Sequence, residues 1–438
     1  VCRPVFPLRI AIEANSLSAY EAQNLLRTTQ HALDDLNDFS AHHLRLHISP
    51  SNYSNVDKEL HTSPSEEIAL TIRLRPGKET KHRLHPYLSV LEIYYTPSQV
   101  SASSSFSSPL ATYITHQLHR LFDEERTMIS HLLSSSSLEY ASDYKPQDTL
   151  QNWTSRTMKY SPSYHLTFSL FTPTSTPTTW PIADALEAYM IPLLQSLKSI
   201  SEFSIDTQIQ FYASPGVSKP KLRKEDLPLF INAAEWPLSP SIGGSPTINF
   251  IAYVGDIEID GGGKSWLIPQ WGGVVLLSSS ELDDLRSTML IFANQLLSLL
   301  GAPETGSLPL RLQTISRVRS ASLLLKASST LGSLARLSLA LPSIPIPRPV
   351  ADGVTKAIAS LHDACESLGG QMGLQHARNA EREAEKAFFE KSMVGQVYFP
   401  DEHKIAVYLP LLGPICVPLV VGVLKEVRVW AKKRVFFT

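Results

Sequence analysis

Apolar residues recur at every second position in a series of short stretches along this chain, the period of a half-buried β-strand. Leu8, Ile10 and Ile12 form one such face, and Leu44, Leu46 and Ile48 another. Ile68, Leu70, Ile72 and Leu74 alternate most clearly, followed by Leu91, Ile93 and Tyr95. Tyr164, Leu166, Phe168 and Leu170 begin a second series that continues through residues 203–212 and 248–254. Residues 266–277 read as strand, turn, strand, with Gly272 and Gly273 at the break.

Between these stretches the apolar spacing lengthens to that of a helix. Ser18 and Glu21 form a capping box, which satisfies two free amides at a helix start reciprocally, and Leu25, Leu26, Leu33, Leu36 and Phe39 carry the stripe onward. A second helix is predicted over residues 110–133 through Ile114, Leu118, Leu121 and Ile129. Pro181 suits the first turn of a third, with Ile182, Leu186, Leu193 and Leu197 facing the core. A fourth covers residues 281–300 and stops at Gly301 and Pro303.

The two halves therefore share one rhythm: strand, helix, three strands, helix, over residues 7–133 and again over 163–300. Residue identity between them is poor, so the duplication is one of pattern. Residues 134–162 are polar and turn-rich, and 101–109 form a serine-rich loop. Beyond residue 305 the strand signal ends. Residues 308–341 are helical, the proline-rich stretch 343–349 cannot continue that helix, and 354–368 and 371–391 resume it. The expected fold is α+β: mixed sheets covered by helices in two units, 1–150 and 151–304, then a helical connecting region, 305–400, and a membrane helix with its tail, 401–438.

The membrane helix rests on residues 405–424, about 20 positions without a charge, enough to cross ~30 Å of hydrocarbon. Twelve of them are Ile, Leu or Val, which favour insertion by about 4 to 7 kcal/mol before polar and proline terms are subtracted. Lys425, Arg428, Lys432, Lys433 and Arg434 follow the run, whereas Asp401, Glu402, His403 and Lys404 precede it. Basic flanks stay cytosolic, so the C-terminus is expected in the cytosol and the bulk of the chain on the opposite, luminal side. Pro410, Pro414 and Pro418 stand four apart on one face, where each removes a backbone hydrogen bond and kinks the helix. Such a face is tolerated where neighbouring helices cover it, although a kinked helix needs no special partner. Two glycosylation sequons, at Asn52 and Asn152, suit a luminal body.

Composition narrows the functional classes. The net charge of −2 gives no basic surface for nucleic acid, so no nucleic-acid partner is expected. Charged residues make up 18%, below the roughly 25% of soluble domains, as suits a chain partly in lipid. Three cysteines are too few for a disulfide framework; Cys416 lies in the apolar run, which leaves Cys2 with Cys365 as the one intramolecular pairing open, and it is not expected to form. The segment DGGGKS (Asp260–Ser265) evokes a phosphate loop, but Glu258 stands where that motif needs glycine, and the segment lies between strands, so it reads as a hairpin loop. His362, Asp363 and Cys365 offer a nucleophile beside a base, yet they fit an ordinary amphipathic helix better. His42, His43 and His47 lie on a predicted strand and read as hydrogen-bonded or solvated rather than as metal ligands. No catalytic, cofactor-binding or metal-binding residue is assigned, and no cofactor is expected.

Several segments carry a resemblance to a known family. YHLTFSLF (164–171), DTQIQFYA (206–213), FINAAEWPLSP (230–240), INFIAYV (248–254), LIPQWGGVV (267–275) and SSTLGSLARL (328–337) contribute. The most specific block is AEKAFFEKSMVGQVYFPDEHKIAVYLPLLGP (384–414). Along nearly its whole length the chain resembles the phosphatidylinositol-glycan class S family. The resemblance implies a non-catalytic structural subunit of the GPI transamidase complex in the endoplasmic reticulum membrane, which joins precursor proteins to a glycosylphosphatidylinositol lipid. It implies other transamidase subunits as partners, among them a caspase-like chain that holds the catalytic cysteine and histidine. It also implies a luminal domain between two membrane segments, so a first segment is expected upstream of Val1. Trp271, Gly272 and Gly273 are a candidate partner contact, an aromatic beside flexible backbone, though core packing suits them better. The rival functions are a luminal transferase or hydrolase acting alone and a module that recruits precursor.

Overall fold

The computed structural model of the chain describes residues 4–49, 68–100, 108–134, 147–176, 180–340 apart from 218, 233, 237 and 239–243, 346–391 and 401–435. The first sheet is built around β1 (Phe6–Glu13), whose Phe6, Leu8, Ile10 and Ile12 are buried. α1 (Ala19–Asp35) follows and begins with the capping box: the Glu21 amide donates to Ser18 Oγ at 3.3 Å, and the Ser18 amide to Glu21 Oε2 at 2.9 Å. β2 (His42–Ile48), β3 (Ile68–Pro76), β4 (Lys81–Leu84) and β5 (Val90–Tyr95) complete a sheet of order β2-β1-β3-β5-β4. All neighbours are parallel except β4, which returns antiparallel to β5. α2 (Pro109–Leu121) and α3 (Asp123–Ser134) follow; the single predicted helix is broken at Phe122. α4 (Gln147–Arg156) then occupies part of the segment expected to be turn-rich.

The second series repeats the plan. Its elements are β6 (Ser163–Phe171), α5 (Ile182–Ala185), a π-helical turn at Leu186–Met190, α6 (Ile191–Leu197), β7 (Glu202–Gln210), β8 (Lys221–Leu222), β9 (Thr247–Val254), β10 (Glu258–Ile259), β11 (Ser265–Ile268), β12 (Gly272–Leu277) and α7 (Arg286–Leu299). The sheet order is β11-β12-β9-β6-β7, while β8 and β10 pair with each other. Counted from the β7 edge, the second strand of the unit lies beside the first, then the third, then the last, then an antiparallel edge strand. The first sheet has the same order and the same one reversed strand. The duplicated rhythm is thus a duplicated topology.

Alternation along the strands gives the second sheet two apolar faces. On one, Phe292 of α7 packs against Phe250 and Phe168, with ring centroids 5.1 and 5.9 Å away. On the other, Phe171, Ile251, Tyr253, Val274 and Leu276 pack under Phe230 and Trp236 from the loops beside β8. Gly272 and Gly273 lie inside β12 rather than at the break, which falls at residues 269–271. A Cβ on Gly272 would meet the Asn249 carbonyl oxygen at 1.9 Å, and one on Gly273 the Gln295 side chain at 2.0 Å, so close packing explains both glycines. α7 starts later than predicted because Ser278 and Glu281 close a capping box on a separate 3₁₀ turn.

Four more helices follow among the described residues: α8 (Leu308–Ala340), α9 (Arg348–Glu366), α10 (Gln371–Phe388) and α11 (Asp401–Val435). Contacts divide the chain into two compact units. The first holds residues 1–325 and 362–378, including both sheets; the second holds residues 326–361 and 379–438. The second has a core of alanines, Ala327, Ala357, Ala380 and Ala384, which lets helices approach closely. Lys326 ion-pairs there with Glu381 and, at 2.6 Å, with Glu385. Cys416 is free, but Cys365 is disulfide-bonded, contrary to expectation; Cys2, the partner weighed for it, lies outside the described residues.

Within the first unit a buried ion pair joins α3 to α8. Arg317 Nε donates to Glu125 Oε1 at 2.6 Å and its Nη2 to Oε2 at 2.7 Å, while Thr314 Oγ1 adds a third bond at 2.5 Å. His42 Nε2 lies 3.4 Å from Oε1. The Glu125 and Arg317 side chains are 2% and 4% exposed, so water screens little of the interaction. Burial pushes the Glu125 carboxyl up, but the Arg317 charge and hydrogen bonds, helped by His42, outweigh it and hold the group well below the usual carboxylate range.

Removing one partner strands the other as a buried charge. Arg317→Met is expected to destabilise the chain by about 3 to 5 kcal/mol, and Glu125→Leu with Arg317→Met together to recover most of that loss. Denaturant unfolding of the detergent-purified chain, followed by tryptophan fluorescence, measures both. Because the folded carboxyl titrates below its unfolded value of 4.5, its contribution is complete above that pH and is lost as pH falls through the acid range. Glu125→Gln should therefore flatten the fall in stability below about pH 4.5. Gly273→Ala, which forces Gln295 off its 3.0 Å bond to the Trp266 carbonyl, should cost about 1 to 3 kcal/mol in the same assay.

Candidate functional site

The surface with the clearest functional character is α11. Its stretch Ala406–Trp430 is 25 residues long and apolar, and none of it is buried, with Leu409, Leu411 and Ile415 each 64% exposed or more. A water-soluble core helix would bury such residues; a helix this long and apolar is sized for a bilayer. It runs without interruption through Pro410, Pro414 and Pro418. Four residues advance an α-helix by about 400°, so successive prolines turn only ~40° and stay on one side.

Asn152 of the second sequon is exposed on α4. Its neighbour Trp153 points inward, donating from Nε1 to the Gly301 carbonyl at 3.1 Å, and Gly301 has φ 87°, the left-handed conformation that ends α7. The sequon therefore rides on a helix anchored by its middle residue. Asn52 lies outside the described residues. Trp271 is half-buried against the aromatic cluster of the second sheet, and Gly272 and Gly273 are buried, so of these three only Trp271 retains surface.

The residues weighed for chemistry are occupied structurally. Gly261, Gly262 and Gly263 all have positive φ in the connection from β10 to β11, strands that do not pair with each other, so the segment is a loop but not a hairpin. Lys264, the lysine a phosphate loop would use, donates instead to Glu281 Oε1 at 2.7 Å, and this bond holds the Glu281 carboxyl at about 2. Cys365 is in a disulfide, His362 pairs with Glu366 at 3.3 Å, and Asp363 lies 4.0 Å from His376. His42 serves the Glu125 network and His43 lies 3.3 Å from Asn37 Nδ2. Among the described residues no group of three His, Cys, Asp or Glu is arranged to hold a metal ion.

Two arrangements escaped the sequence reading. A cavity of about 30 Å³ beside Leu33, Leu36, His42, Leu44, Phe122 and Arg126 has room for little more than a water, far below the several hundred Å³ of a substrate pocket. Across β6 and β7, His165 contacts Ser204 Oγ through Nδ1 at 2.8 Å and Asp206 Oδ2 through Nε2 at 3.0 Å. This resembles a Ser-His-Asp relay, but Asp206 is 73% exposed on an open sheet surface, where it cannot fix the ring as a buried carboxylate does. The alternation of a β-strand places 204 and 206 on one face, which is the signal that finds the group and also its explanation as a cross-strand cluster.

The profile of the phosphatidylinositol-glycan biosynthesis class S protein family matches residues 1–433. The chain is 30% identical over 334 residues to the GPI-anchor transamidase component PIGS of Rattus norvegicus, covering 65% of this chain and 60% of the relative. It is 31% identical over 314 residues to the GPI transamidase component PIG-S homolog of Schizosaccharomyces pombe, covering 64% and 56%. It is 30% identical over 326 residues to the GPI transamidase component GPI17 of Saccharomyces cerevisiae, covering 63% and 60%. The chain thus spans about three fifths of the length of these relatives. With the family profile running from residue 1 to residue 433, the chain belongs to the phosphatidylinositol-glycan biosynthesis class S family.

Proposed function

We propose that this chain is a non-catalytic structural and assembly subunit of the GPI transamidase complex, supporting attachment of glycosylphosphatidylinositol anchors to precursor proteins at the endoplasmic reticulum membrane. The observation that carries the reading is the end-to-end family match, joined to relatives named as components of that complex. The two sheet units would present luminal surface to partner subunits, among them a caspase-like catalytic chain, and α11 would anchor them in the membrane. Two local features support this placement. Basic residues after the apolar stretch favour a cytosolic C-terminus. The disulfide-bonded Cys365 suits an oxidising lumen, where disulfides persist.

Purification of the tagged full chain from native membranes in mild detergent should recover the other transamidase subunits, with activity that disappears when a partner's catalytic cysteine is replaced. Recovery of this chain alone, still active on lipid or peptide, would overturn the reading. On the same topology, Asn152 carries a glycan: endoglycosidase should sharpen the mobility of the wild type, Asn152→Gln should remove the part due to that site, and a sequon appended after Thr438 should stay unmodified. A glycan on the appended site would invert the orientation.

A further inference from the structure

The first turn of α3 carries four consecutive charged residues, Asp123, Glu124, Glu125 and Arg126. Glu124 accepts the amides of Glu304 and Thr305 at 2.8 and 3.2 Å, Glu125 holds Arg317, and Arg126 Nη2 donates to Asp123 Oδ1 at 2.7 Å. This one turn joins the first series to the chain that follows the second. A further bond ties it back to α2: Arg126 Nη1 lies 2.7 Å from His119 Nε2. A guanidinium donates and cannot accept, so Nε2 is the acceptor and the His119 proton sits on Nδ1. The bond exists only while the imidazole is neutral.

Protonation of His119 would set two cationic donors against each other 2.7 Å apart. Arg126 cannot give way by losing its proton, and its side chain is 8% exposed, so little water is at hand to take it. Among the described residues the other groups that act on the imidazole are Asp123 on α3, Asp38 after α1, and His116 on α2. His42 of β2 and Asp34 of α1 line the small cavity beside it. Burial lowers the His119 pKa from its ordinary value, Arg126 and His116 lower it further, and the two aspartates oppose them without reversing the shift. We infer that His119 and Arg126 form a proton-sensitive latch, which holds the first turn of α3 against α2 while His119 is neutral and releases it on protonation. Because the folded imidazole titrates below the 6.5 of a free one, the latch contributes fully above that pH and its contribution is lost as pH falls below it. Release loosens the turn that carries Glu125 at a pH well above the acid range in which that carboxylate itself titrates.

Hydrogen exchange of the detergent-purified full chain, read by mass spectrometry and corrected for the intrinsic pH dependence of exchange, tests the latch. At about pH 5.5, roughly one unit below free imidazole, protonation of the opened state favours opening by up to ~tenfold over about pH 7.5. Wild-type amides in residues 119–130 should therefore exchange about three- to tenfold faster at the lower pH, while those of β9 hold steady. His119→Gln keeps an oxygen that can accept from Arg126 but does not titrate, so it should exchange slowly at both pH values. His119→Ala, with no acceptor, should exchange fast at both, and His116→Gln should respond as the wild type does. A wild type whose exchange in this segment ignores pH would overturn the inference, as would a His119→Gln variant that keeps the full wild-type response.

Discussion

The architecture of the first unit depends on a single buried charge pair. Glu125 and Arg317 are separated by 192 residues, and one ends the first α/β series while the other follows the second. Each ion alone would be costly to bury, and together they are acceptable only because the carboxylate accepts two guanidinium bonds and a threonine hydroxyl. The pair is directional in a way that hydrophobic packing is not. It admits one position of α8 against α3, and so fixes how the helix that follows the second sheet meets the helices of the first. Arg319, two residues on, caps the end of α7 by donating to the Leu300 carbonyl at 2.9 Å. Burial lowers its pKa from that of a free arginine, and its guanidinium also sits 5.5 Å from the Tyr160 ring. One stretch of α8 thereby holds both halves.

The two sheets share one strand order and differ in what is built around it. The parallel core and the one reversed strand persist in both. The second copy adds the β8–β10 pair and the loops that bring Phe230 and Trp236 over its outer face. Phe230 meets Tyr253 and Trp266 edge-on at 5.2 and 5.3 Å, a geometry that fills the space with packed rings. In open parallel sheets the crevices beside strand ends commonly receive ligands. Here apolar side chains of the chain itself occupy one sheet face.

Regular elements were legible wherever one face met the core. The period-two runs at Leu70–Leu74 and Tyr164–Leu170 became β3 and β6, and the Ser18–Glu21 box started α1 as its chemistry requires. What escaped was whatever tertiary contact decided. α4 is polar along most of its length, and only Leu150 and Trp153 mark the side on which Trp153 docks at the end of α7. Gly272 and Gly273 looked like a turn because glycine breaks strands in isolation, yet they are required inside β12 by a carbonyl and a glutamine pressed against them. Glu125 sits in the run DEERTMIS, inside the single helix expected over residues 110–133, and nothing local announces a guanidinium nearly two hundred residues away. Of the candidate site, the apolar helix and its prolines were plain from the sequence, since a bilayer span is a property of composition and length. The fate of Cys365 was not, because a disulfide is a property of distance.

The 192-residue separation also sets an order of events during synthesis. A ribosome adds roughly 5 to 20 residues each second, so Arg317 emerges about 10 to 40 s after Glu125. Throughout that interval the first sheet, complete by Tyr95, carries a carboxylate that it cannot close over, because the counter-charge does not yet exist. Until then the carboxylate has only its neighbours in the early half, His42 among them, to answer it.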